Sequence, residues 1–479
     1  MKTTAEGGKV VAKAVTQDRT ELILSGSMYK VLFTLSTPII INSLISQLYS
    51  LVDSLWVSKI SSVHFAAVAF VWPVNWFFIA LGNGLPVAGT ALLSQLVGAG
   101  QLERARKYAA QLFALALIAS LAMAALGYLS APTVVRLMGA AGDLERLSLT
   151  YLRIVFCDLP FVFLYFAVNA LLHAQGDTLT PMILSGASAL LNAILDPIFI
   201  FTFGWGLAGA AWATVLSRAV LAVVGSLLLL RSSRRLQPDF TGFRLNKEIV
   251  REIVRIGLPS SVGQAGASLG FAAFNGFIAA YGTATLAAYG MVNRITSLVM
   301  QPATGMGQAL TAIVGQNIGA AQMARVKEAF HKALTVAVLI GIAGCAVLIV
   351  FDEPIIYFFM RARDDPAVIT ESLEYLAYVA VSLPFMGIFG TFSGLYQGSG
   401  STRYSMNMEM GRLWLVRLPL IVLLGRFTNW GSTGIWFSMS FSNVLTCLYG
   451  YWVYKTRPWQ KSIIAGKKET GAKPLSTAG

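Results

Sequence analysis

The chain has 479 residues, of which 56% are hydrophobic and 12% charged, about half the charged share of a soluble globular protein. So little charge excludes a water-soluble enzyme or binding domain as the main body of the chain. The net charge of +14 would suit nucleic acid, but Lys and Arg gather in short connections and tails, which excludes a nucleic-acid-binding face and points to membrane topology.

Residues 1–27 are polar, mixed in charge and without an apolar core; they read as a cytoplasmic leader, not as a cleaved signal. Twelve apolar segments follow, each near the ~20 residues that cross a bilayer. They are expected near 29–58, 63–92, 108–130, 148–171, 181–203 and 207–230. After a basic linker at 231–255 come 256–281, 285–314, 330–351, 370–393, 404–425 and 432–454. None alternates with the period of two that a membrane barrel needs. The expected fold class is therefore an all-α membrane protein, with an N-terminal six-helix lobe at 28–230 and a C-terminal one at 256–457. Residues 458–479, basic and rich in Gly, Ser and Thr, are expected to form a disordered cytoplasmic tail.

With a cytoplasmic N-terminus, 25 Lys and Arg fall on the cytoplasmic side. Six fall outside (Lys59, Arg136, Arg146, Arg361, Arg363, Arg426) and five lie in or near helices (Arg153, Arg218, Arg294, Arg412, Arg417). That asymmetry predicts a multi-pass protein of the inner membrane with both termini inside. Neither the three cysteines (Cys157, Cys345, Cys447) nor the three histidines (His64, His173, His331) have disulfide or metal spacing.

The two halves repeat. Leu35-Ser-Thr-Pro38 matches Ile256-Gly-Leu-Pro259 at an offset of 221, and Gln95-Leu-Val-Gly98 matches Gln316-Asn-Ile-Gly319 at the same offset, as Arg104 does Arg325. Leu159-Pro160-Phe161 matches Leu383-Pro384-Phe385 at 224, and Trp205-Gly206 matches Trp430-Gly431 at 225. Six helices per repeat is an even number, so both halves enter from one side and the pseudo-two-fold axis runs along the membrane normal. Transporters of this plan hold substrate between the lobes and rock around it.

An ionisable group inside the bilayer is costly, by about 2.5–3.5 kcal/mol on insertion scales, so each one is informative. Asp53 stands fifteen residues after Pro38, about 22 Å along an ideal helix, and so in the outer half of the membrane. Asn192 and Asp196 are four apart and share a helix face, and Pro197 withholds a donor from the carbonyl of Ala193. Thr214 lies on the antiparallel next helix, although a threonine hydroxyl more often bonds its own backbone. Two carboxylates, an amide and a hydroxyl form an all-oxygen set suited to a proton or a hard monovalent cation. The second half departs from this: the counterpart of Asp53 is Phe274, and that of Asp196 falls near residue 420 in the apolar run Leu418–Ile421. Ion coupling is therefore expected in the N-terminal lobe. Glu409 and Arg412, three apart, are read as a structural pair. Asp158, before Leu159-Pro160, is placed near a helix bend. Pro38 and Pro259 hold matching places as hinge residues.

Pro38, the run Leu48-Tyr-Ser-Leu-Val-Asp53, Gly98-Ala99, Asn192 through Asp196-Pro197, and Gly315-Gln-Asn-Ile-Gly319-Ala320 resemble the multidrug and toxic compound extrusion (MATE) family over nearly the whole chain. The resemblance looks nearest to its prokaryotic branch named for the DNA-damage-inducible protein F. It implies two lobes forming a V around a central cavity, with small organic, often cationic, compounds exported by alternating access against an inward proton or sodium flow. It implies an ion site at Asp53, Asn192, Asp196 and Thr214, where sodium is the one metal expected, no other cofactor, and polar positions lining the cavity at Tyr49, Tyr151 and Asn169. Arg294 is a further lining candidate. The expected protein is a monomer in the lipid bilayer with no nucleic-acid partner. Other branches use acids in the seventh and tenth helices; here the seventh has none and the tenth only Glu371 and Glu374 at its outer end. The competing readings are a lipid-linked oligosaccharide flippase, which tends to carry several cavity arginines, and a membrane-embedded enzyme, which would need a cluster of reactive groups beside a large loop.

Overall fold

The structure, a computed structural model, describes residues 19–231, 236–359 and 366–464. The leader residues 1–18 and the tail residues 465–479 lie outside that range. The described residues form helices joined by short turns. The N-terminal lobe comprises α1 (Met28–Ser58), α2 (Ser62–Gly82), α3 (Gly84–Gly98), α4 (Leu102–Leu137), α5 (Gly142–Phe156), α6 (Leu159–Ala174), α7 (Leu179–Pro197) and α8 (Gly206–Arg231). The C-terminal lobe comprises α9 (Lys247–Ala279), α10 (Thr283–Gly319), α11 (Met323–Val350), α12 (Asp352–Phe359), α13 (Pro366–Gly398), α14 (Thr402–Met410), α15 (Leu418–Phe427) and α16 (Thr433–Thr456). Taking α2–α3, α5–α6 and α14–α15 as single broken spans, and α12 as a short outer helix, each lobe has six spans. The broken spans have local causes. Span two turns at Asn83, span four bends by 40° at Cys157-Asp158 ahead of Pro160, and span eleven carries a π-helical turn, Gly411–Arg417.

Several boundaries differ from the sequence reading. The linker at 231–255 is shorter than expected, because α9 begins at Lys247. The Asn246 side chain accepts from the backbone N–H groups of Glu248 and Ile249, and Glu248 suits the positive end of the helix. Those first turns are charged and stand clear of the apolar layer, so hydropathy does not register them. The segment expected at 63–92 continues, past the turn at Asn83, to Gly98, and that at 108–130 extends over Leu102–Leu137. The tail is folded as far as Ile464: Trp459 is fully buried and donates its indole N–H to the Tyr454 carbonyl.

The lobes meet through α1–α3 on one side and α9–α10 on the other. Gly98 and Gly319, matched in the repeat, make this contact possible. A Cβ on Gly98 would lie 2.0 Å from the Gln316 carbonyl oxygen, and one on Gly319 would lie 2.0 Å from that of Gln95. The two glutamines cross the seam symmetrically, Gln95 donating to the Gly398 carbonyl (3.2 Å) and Gln316 to that of Ala174 (2.7 Å). Nearer mid-membrane, Asn83 donates to Gln264 (3.0 Å) and Ser261 to the Leu81 carbonyl (2.6 Å). Among the described residues, no interlobe hydrogen bond lies farther from the termini than these. The lobes are thus joined on the face that carries both termini and separate toward the other.

Candidate functional site

The prominent polar cluster of the N-terminal lobe lies in the half away from the termini. The one-turn spacing on α7 directs Asn192 and Asp196 inward together; both are fully buried, and the Asn192 amide donates to Asp196 Oδ1 at 3.1 Å. Asp196 Oδ2 and Asn192 Oδ1 are also buried and have no hydrogen-bond partner among the described residues. On α1, Tyr49 and Asp53 are likewise one turn apart. The Tyr49 hydroxyl donates to Thr214 Oγ1 of α8 at 3.3 Å. Asp53 is half-buried, and its carboxylate lies within electrostatic range of Asp196. Tyr151 of α5 lies within range of both carboxylates. Asp53, Asn192, Asp196 and Thr214 therefore come from three helices to one region.

The other expected residues divide. Asn169 has a buried, unpartnered Oδ1 but no hydrogen bond to the cluster. Arg294 is exposed on α10 and makes no side-chain hydrogen bond to the cluster among the described residues. Pro38 and Pro259 lie inside the unbroken helices α1 and α9. Glu409 and Arg412 do not close an ion pair; the Arg412 guanidinium instead lies 4.4 Å from the Phe389 ring centre.

Sequence reasoning missed one pair. Arg218, one turn after Thr214, forms a 2.5 Å ion pair with Asp158 and lies 5.9 Å from the Tyr49 ring. Asp158 sits at the bend between α5 and α6 with its side chain 2% exposed. The signal was present in an acid beside Leu-Pro, but its partner is sixty residues away. Among the described residues no group of three or more His, Cys, Asp or Glu side chains is placed to hold a metal. The site's chemistry is that of oxygen: two carboxylates, an amide carbonyl and two hydroxyls. Such a set can hold a proton or a sodium ion, and the two unpartnered buried oxygens fit either.

A family model described as MatE matches residues 38–198 and again 259–423, one match in each lobe. The chain is 27% identical over 453 residues to the "Probable multidrug resistance protein YoeA" of Bacillus subtilis, covering 91% of this chain and 96% of that protein. It is 26% identical over 424 residues to the "Multidrug export protein MepA" of Staphylococcus saprophyticus, covering 88% and 92%. Among solved structures, a MOP superfamily transporter from Pyrococcus furiosus superposes with a TM-score of 0.85 at 27% identity, over 90% of this chain and 96% of that one.

Proposed function

Because the chain belongs to the MatE family of multidrug and toxic compound extrusion transporters, we propose that it is a secondary antiporter that exports amphipathic organic compounds in exchange for an inward proton or sodium ion. The observation that carries this reading is the pair of buried, unpartnered oxygens on Asn192 and Asp196, within electrostatic range of Asp53. A buried polar atom without a partner is expensive, and a mobile ion would relieve it. Asp53 on α1 and Asp196 on α7 belong to different helices, so taking up or releasing the ion changes what holds α1 against α7 and α8. Pro38 lies between that site and the interlobe seam and is the hinge through which α1 responds. The joined face is the cytoplasmic one, as the Lys and Arg asymmetry supports, so the lobes stand open to the outside. The membrane is the cytoplasmic one, and the working unit is the monomer.

The flippase reading is weaker on the same geometry. Of the arginines that reading would call on in the N-terminal lobe, Arg218 is taken up by Asp158. Proteoliposomes loaded with a fluorescent organic cation test the proposal. Efflux should follow an imposed pH or sodium gradient, and whichever gradient drives it names the ion. Asp53→Asn and Asp196→Asn should each abolish driven efflux while leaving expression and membrane insertion intact. Normal efflux by both variants would sink the coupling assignment.

A further inference from the structure

The C-terminal lobe repeats the contacts of the ion site with the charge reversed. At the offset of 221, Asp53 corresponds to Phe274. At 224 and 225, Tyr151 corresponds to Tyr375, Asp158 to Ser382 and Arg218 to Asn443. The Asp158–Arg218 ion pair is thus replaced by an uncharged bond, the Asn443 amide donating to Ser382 at 3.4 Å. Asp196 falls on Arg417 at 221 and near residue 420 at 224. Those two positions are three apart and so face the same way on a helix. Arg417 lies 5.6 Å from the ring of Phe274, so the couple Asp53 and Asp196 is replaced by Phe274 and Arg417. The sequence reading saw only the apolar run after Arg417. The π-helical turn Gly411–Arg417 is what brings the arginine inward.

Arg417 is 3% exposed. Its Nε donates to Ser442 Oγ at 3.0 Å, and its Nη2 to Asn443 Oδ1 at 3.3 Å and the Met439 carbonyl at 3.4 Å. Among the described residues its Nη1 has no hydrogen-bond partner, and no carboxylate lies within ion-pair distance of it. Arg412 is within electrostatic range and has a buried, unpartnered Nε; Glu409 is the acid that faces Arg412. A cavity of about 430 Å³ beside the site is lined by Arg412, Val416 and Thr446, with Arg417 and Asn443 behind its wall. A guanidinium held in the membrane without a counter-charge is costly, and polar neighbours that only accept weakly do not offset that.

We propose that Arg417, held in place by Ser442 and flanked by Asn443 and Arg412, is an oxyanion site that takes the carboxylate, sulfonate or phosphate of an amphipathic organic solute. This rests on the export reading and narrows it: the exported compounds include zwitterions and organic anions, one lobe holding the coupling cation and the other the anionic group of the cargo. A guanidinium whose Nη1 is free can give that nitrogen's N–H groups to one oxygen of an anionic head group in a charge-assisted hydrogen bond.

Rhodamine B and its methyl ester differ only in one carboxylate and serve as the probes. Binding to protein purified in phospholipid-free detergent is read by fluorescence anisotropy, and flux is read in proteoliposomes. Arg417→Gln should weaken rhodamine B binding and flux by about tenfold and leave the ester within about twofold. Arg417→Lys, which keeps the charge but loses the contacts that fix the free nitrogen's direction, should fall between. Equal losses for both dyes would make Arg417 structural, unchanged behaviour would remove the site, and displacement of rhodamine B by phosphatidylglycerol micelles would assign it to lipid. Selective loss of rhodamine B binding, with neither dye driven by any gradient in the wild type, would uphold the site and overturn the export reading.

Discussion

Asp158 and Arg218 form a buried pair whose members cost more alone than together. Asp158 is nearly inaccessible, and removing Arg218 strands its charge, at a cost of about 3–5 kcal/mol by analogy with other buried pairs. Arg218→Gln and Asp158→Asn should therefore each lower the melting temperature of the purified protein, and the double variant should recover most of the loss. A double variant no better than the sum of the singles would show that the two do not act as a pair. The same comparison separates what the sequence disclosed from what it could not. Asn192 and Asp196 are one turn apart on one helix, so their meeting followed from helix geometry alone. Asp158 and Arg218 meet only because α6 and α8 pack, which no local spacing encodes.

Among the elements, the repeat was legible because prolines and glycines do backbone work that side-chain drift cannot replace. The matched pair Gly98 and Gly319 shows why: each faces a carbonyl of the opposite lobe at a distance that admits no side chain. Gly98→Val should wedge α3 away from α10, break the bonds from Gln95 and Gln316, and lower driven efflux by about tenfold or more while the protein still inserts. Normal efflux with an unchanged melting temperature would mean that the seam is looser than this geometry. What hydropathy could not place were the elements that owe nothing to apolar periodicity. The N-terminal turns of α9 are set by the Asn246 cap, and the π-helical turns at Ile198–Thr202 and Gly411–Arg417 shift residue facing inside otherwise continuous apolar runs. The latter turn ends at Arg417, which the sequence placed only in or near a helix.

Across the whole molecule, the first and last described segments both bind the seam between the lobes. Arg19 pairs with Asp177 of the N-terminal lobe at 2.5 Å, while Arg325 of the C-terminal lobe donates to the carbonyls of Ile23 (3.0 Å) and Gly26 (2.9 Å). At the other end, Ser462 and the backbone N–H of Ile463 donate to Gln95 Oε1, and Ile464 packs into the N-terminal core. Burial of Asp177 favours its neutral form, but Arg19 and Thr180 outweigh that and hold the carboxyl below the usual carboxylate range. A depressed folded-state pKa means that the pair contributes above the unfolded value, about 3.9, and is lost only as pH falls through the lower folded value. The N-terminal attachment should therefore be indifferent to pH between about 5 and 8, and any pH dependence of transport there must arise elsewhere. The C-terminal attachment is tested by truncation after Arg457 in a chain carrying Ser94→Cys. Ser94 is fully buried against Gly315 in the seam. If residues 458–464 help hold the lobes together on this face, their removal should speed maleimide labelling of that cysteine by about tenfold, the change expected if about 1.4 kcal/mol of closure is lost. An unchanged rate would mean that the crossing glutamines and the glycine contacts close the seam without the tail.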